Sequence, residues 1–134
     1  MAGSKVAPKT ASQFGSVLLG SVTGANLNAT AGSDIVVPLI DTPSKFRVRA
    51  IAMTNGSINP TTARFTVQTA AAVGGVVVVS AVTPSLASAA VVQDLTIAST
   101  NTISGTGNLY INLTTAQGAA ATVDIYIYGD IYTA

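Results

Sequence analysis

The chain has 134 residues, a length that fits one ordinary domain and removes roughly two-thirds of its unfolded surface from water. Apolar residues make up 49% of it and charged residues only 8%, with a formal net charge of +1. Copies of such a chain repel one another weakly, so any uncovered apolar surface favours assembly. His, Cys, Glu and Trp do not occur, which removes disulfides, thiol chemistry, His-based proton transfer and His/Cys metal ligation.

The first 13 residues, rich in Ala, Ser, Lys and Thr, follow neither a twofold nor a 3.6-residue period and read as an extended N-terminal arm; Lys5, Val6, Pro8 and Lys9 are its candidate contact residues. They lack the continuous apolar stretch of a signal peptide, and no later segment reaches the 18 to 20 apolar residues of a membrane helix, so neither export by a signal peptide nor a membrane partner is expected. Residues 14–134 form the expected domain.

Within it, strand signals recur every 10 to 15 residues: Ser16 to Thr23, Asp34 to Ile40, Lys45 to Thr54, Ala63 to Thr69, Val76 to Val82, Val92 to Ala98, Asn108 to Thr115 and Thr122 to Tyr132. Turn chemistry separates them at Pro43-Ser44, Asn55-Gly56, Asn59-Pro60, Gly74-Gly75, Gly105-Thr106-Gly107 and Gln117-Gly118. Leu86 to Ala90 is too short for a lone helix and reads as a loop. About eight strands without a convincing helix predict an all-β antiparallel sandwich.

Alternation assigns the faces. Val123, Ile125, Ile127, Gly129 and Ile131 form one row of the last strand, and Asp124, Tyr126, Tyr128, Asp130 and Tyr132 the other. In Lys45 to Met53 a strict twofold period sets Phe46, Val48, Ala50 and Ala52 against Lys45, Arg47 and Arg49. Ala63, Phe65 and Val67 oppose Arg64 and Gln68, while Leu109, Ile111 and Leu113 oppose Asn108, Tyr110 and Asn112. The unbroken run Val76 to Val79 predicts a strand covered on both sides or buried in an interface.

Chemistry has few carriers. Without His or Cys there is no nucleophile–His triad, and no G-x-S-x-G elbow occurs. The five aspartates, Asp34, Asp41, Asp94, Asp124 and Asp130, are not spaced as D-x-D for a hard cation. The expectation is therefore no enzyme activity, no metal and no cofactor. Lys45, Arg47, Arg49 and Arg64 would form a basic face if their strands were neighbours. The small net charge and the lack of a basic stripe interleaved with aromatics argue against nucleic acid and for a subunit contact or a salt-bridged solvent face. Tyr126, Tyr128 and Tyr132, three of the four tyrosines, share one face of one strand; with Arg47, Arg49 and Arg64 they are the candidate oligomer or partner interface.

The stretch Asn108-Leu-Tyr-Ile-Asn-Leu-Thr-Thr-Ala-Gln-Gly-Ala-Ala-Ala-Thr-Val-Asp-Ile-Tyr-Ile-Tyr-Gly129 resembles the close of small structural proteins of tailed bacteriophages and prophages. Lys45-Phe-Arg-Val-Arg-Ala-Ile-Ala-Met-Thr-Asn-Gly-Ser57, followed by Pro60-Thr-Thr-Ala-Arg-Phe65, is similar to their middle hairpin. Together these cover about half the domain, and the Ala- and Ser-rich stretch from Val82 to Thr106 departs from the pattern. The resemblance implies a jelly-roll β-sandwich acting as a capsid decoration or cement protein. It further implies a homotrimer made in the bacterial cytoplasm and bound to the major capsid protein on the outer surface of the head. Related jelly rolls also serve as receptor- or carbohydrate-binding fibre modules and as minor shell or tail subunits. The family supplies no catalytic residues to carry over.

Overall fold

A computed structural model describes residues 17–40, 45–71, 74–84, 93–97, 103–104 and 107–133, and for Ile103, Ser104, Tyr132 and Thr133 the backbone alone. The arm residues Lys5, Val6, Pro8 and Lys9, the loop Leu86 to Ala90 and Asp41 lie outside the described residues.

Among the described residues nine antiparallel strands follow one another: β1 (Val17–Asn26), β2 (Asp34–Pro38), β3 (Lys45–Thr54), β4 (Arg64–Ala70), β5 (Gly74–Val82), β6 (Gln93–Leu95), β7 (Ile103–Ser104), β8 (Asn108–Thr115) and β9 (Thr122–Thr133). Each predicted strand is present with its ends moved by a few residues, and β7 is added. Among the described residues there is no helix, hence none long and apolar enough to cross a membrane.

The strands form two sheets, β1-β9-β3-β6 with β7 also on β3, and β2-β8-β4-β5. The pairs are nested: β4 with β5, β3 with β6, β2 with β8 and β1 with β9. A two-stranded ribbon has thus been folded over, and lateral pairing of β9 with β3 and of β8 with β4 turns it into a β-sandwich. Between β1 and β2 the sheets are joined by the bridge Gly20↔Leu39 and by the Ile40 N–H donating to the Leu19 carbonyl at 2.7 Å. Gly20 permits that approach, because a Cβ there would lie 2.7 Å from the Pro38 carbonyl oxygen.

The core lies between the inner faces. Phe46, Val48, Ile51 and Met53 of β3 and Val123, Ile125 and Ile127 of β9 meet Phe65 and Val67 of β4 and Leu109, Ile111 and Leu113 of β8, all essentially inaccessible to solvent. Complete burial of each large side chain contributes about 1.5–3 kcal/mol, which is why the twofold pattern fixes register so strongly.

Three expectations are corrected. In the second half of β3 the buried residues are Ile51 and Met53, with Ala50 and Ala52 on the outer side. Pairing passes from Val48↔Gly129 to Ala50↔Tyr128 and leaves Arg49 as an extra residue, and this bulge reverses the phase of everything after it. Second, β3 and β4 are no hairpin: they belong to different sheets. Third, the described residues do not cover the valine run on both sides, so of its two expected settings an interface is the one compatible with its exposure. β5 ends the second sheet's pairing order; Val78 and Val79 are buried, whereas Val76 is 43% and Val77 37% exposed.

Candidate functional site

The outer face of the first sheet gathers most of the residues that the sequence marks as functional. Directly paired residues of antiparallel strands share a face, so the register lays out four rows along the strands. The first pairs Arg47 with Asp130, the second runs Leu18–Tyr128–Ala50, the third Ser21–Tyr126–Ala52–Asp94 and the fourth joins Asp124 to Thr54. Lys45 and the bulged Arg49 flank the first row. At about 3.4 Å per residue, with one residue taken up by the bulge, the first and last rows stand about 20 Å apart.

The centre of this face is aromatic and shallow. Tyr128 and Leu18 are each 37% exposed, Tyr126 is half-buried, and the small Ala50 and Ala52 leave the two rings standing proud of β3. Such rings offer apolar area and a hydroxyl together, which suits a contact surface. The backbone of Tyr132 continues β9, and its side chain lies outside the described residues.

The two ends differ in charge. At one, the Arg49 Nε–H donates to Asp130 Oδ2, and Arg47 Nη2 stands 3.8 Å from the same oxygen. Asp130 is the sheltered member, its side chain 12% exposed against 30% for Arg47 and 44% for Arg49. Adding Lys45, this end has an excess of two positive charges among the described residues. At the other end Asp94 is exposed, and Asp124 accepts hydrogen bonds from the Gly24 N–H and from Asn55 Nδ2, both at 2.9 Å. Asn55 occupies the left-handed region at φ 57°, as its Asn-Gly turn requires. Of the eight charged side chains among the described residues, six lie on this face.

Arg64 is not among them. It is exposed on β4 opposite Thr115, in the other sheet, so the four basic residues do not form one face. That sheet's outer face is polar and internally satisfied near β2: Asn112 Nδ2 donates to Asp34 Oδ1 at 2.9 Å and to the Gly32 carbonyl at 3.1 Å. Gln68, also on it, is fully buried and accepts from Thr66 Oγ1 at 2.5 Å.

On the side of the sandwich opposite the β1–β2 junction, a recess of about 240 Å³ is lined by Val79, Ser80, Ala81, Val82 and Thr96. Its polar side chains are two hydroxyls, with no charged group. Among the described residues no three acidic side chains converge: Asp34 and Asp94 lie on different sheets, and Asp124 and Asp130 mark opposite ends of β9.

Leu18, Ala50 and Ala52 are the members of the outer face that twofold alternation misses. The spacing of the large apolar residues, 46, 48, 51 and 53, carries the signal, since its one step of three marks the bulge. No protein-family model, curated protein or solved structure matches the chain.

Proposed function

We propose that this chain is a structural virion protein, a decoration or cement subunit that binds the major capsid protein on the outside of a bacteriophage head and stabilises the shell. The observation that carries the reading is the nested strand order, β1 with β9, β2 with β8, β3 with β6 and β4 with β5, which agrees with the jelly roll that the resemblance implies. That architecture recurs in viral shell and lectin domains, and it agrees with the resemblance of the Asn108–Gly129 stretch to phage structural proteins.

Two surface features support assembly. The uncharged, partly exposed β5 ends its sheet, and such edges are normally covered or guarded by charge. A homotrimer closed through sheet edges would cover it. The Tyr126–Tyr128 face supplies a second contact area. Many copies of a modest contact stabilise a shell without any single tight site.

Co-sedimentation tests the reading. The purified protein is expected to pellet to saturation with expanded heads and to remain in the supernatant with immature ones. Failure to bind heads would overturn it. Binding of the isolated protein to a glycan array, lost in Tyr126→Ala, would replace it with a carbohydrate-binding fibre module, a role that two adjacent partly exposed rings would also serve.

A further inference from the structure

The outer face of the first sheet is complementary to itself. Its excess of two positive charges, from Lys45, Arg47 and Arg49 against Asp130, lies at one end, and its two negative charges, Asp94 and Asp124, lie toward the other. The rows of Tyr128 and Tyr126 lie between them. Consider a twofold axis in the plane of the face, crossing the strands between the Tyr128 and Tyr126 rows. It exchanges the Arg47 row with the Asp124 row and the two tyrosine rows with each other. An axis along the strands would instead set like charges against like. One orientation therefore joins ends of opposite net charge and rings at the centre.

We propose that a second copy of this chain covers this face, packed sheet to sheet about that twofold axis. Each Tyr128 meets Tyr126 of the partner subunit. Each Arg49, with 44% of its side chain exposed against 30% for Arg47, reaches toward Asp94 of the partner subunit on the neighbouring strand. Ala50 and Ala52 give the rings room at the roughly 10 Å spacing of stacked sheets. The occupant is a second copy because the charge pattern is antisymmetric about its own midpoint and sums to zero, which an unrelated partner would not require. Placing six of the eight described charges on one face of a charge-poor chain fits recognition by orientation, since complementary charge fixes register and rejects the wrong alignment. The face is about 20 Å long and four strands, about 14 Å, wide between outer strand axes. That is small for a stable interface, so pairing is reversible and concentration-dependent. It uses a surface separate from β5 and does not depend on the virion reading.

Sedimentation velocity of the isolated protein over a dilution series is the test. The wild-type chain is expected to double its mass with concentration, less readily in high salt. Tyr128→Asp and Asp94→Lys, both at exposed positions, are each expected to weaken doubling by roughly tenfold or more. Because the chain has no cysteine, a mixture of Ala50→Cys and Ala52→Cys chains is expected to join through a short thiol cross-linker, these positions facing each other across the axis. A mass that does not change with concentration, or a doubling that survives both substitutions, overturns the proposal. Failure to bind phage heads bears on the virion reading and leaves this result unaffected.

Discussion

Gly129 of β9 rests against the backbone carbonyl of Arg47 on β3, with no space between them for a Cβ. A methyl group there would also come within 2.8 Å of Leu19 Cδ1, so neither backbone nor core can yield cheaply. The contact sits where β1, β9 and β3 meet, one residue from the Arg49 bulge. Gly129→Ala is expected to cost about 3 kcal/mol, a fall of roughly 10 °C in Tm on thermal denaturation. A change of a degree or two would show that the strands separate there without penalty.

At one end of the sandwich, Gln117 holds the start of β4. Its Oε1 accepts from the N–H of Thr62 at 3.0 Å and of Ala63 at 2.9 Å, while its own N–H donates to the Leu27 carbonyl at 2.9 Å. Gln117→Ala leaves two backbone donors unsatisfied, one on a fully buried residue, and is expected to lower urea-unfolding stability by about 1–3 kcal/mol. Gln117→Glu keeps the accepting oxygens and is expected to recover most of that loss.

How much of this was legible in the sequence depends on how local the determinant is. The strands, the Asn55 turn and the inner rows of β8 and β9 follow from period and turn chemistry, which neighbouring residues set by themselves. The phase of β3 after Arg49 does not, because a bulge is decided by what the strand pairs with. Here the partner is Gly129, eighty residues away, whose missing side chain lets β3 approach. The partition of Arg47 and Arg64 between sheets is likewise a property of topology. The tyrosine row was legible as a row, but its neighbours Leu18, Ala50 and Ala52 come from two other strands and needed the register to appear.

Adjacent valines of β5 offer a sharp contrast. Val77 is 37% exposed and Val78 not at all. Val77→Lys is expected to change stability by less than about 1 kcal/mol and to suppress aggregation on heating, since a lysine guards an open edge. Val78→Lys places a charge in the core and is expected to cost about 4 kcal/mol or more, visible as loss of the cooperative transition.

The expected N-terminal arm, residues 1–13, is tested through binding. A chain beginning at Gln13 is expected to unfold with an unchanged midpoint and to lose occupancy on expanded heads in the co-sedimentation assay. Equal occupancy would exclude Lys5, Val6, Pro8 and Lys9 as the contact.

Asp130 separates folding from docking. Its carboxylate is sheltered and accepts from Arg49 with Arg47 close by, so Asp130→Asn removes the counter-charge from two guanidinium groups held against the same sheet. A pair this sheltered on one side and open on the other lies between an exposed ion pair and a buried one, and the expected cost is about 1–3 kcal/mol. A double-mutant cycle with Arg49→Gln should return most of that figure as coupling. The same substitution raises the positive charge of its end by one, which strengthens its attraction to Asp94 and Asp124 of a second copy. Lower stability in urea together with tighter self-association in sedimentation is therefore expected. A variant that loses both would place Asp130 in the contact itself and remove it from the frame that supports the contact.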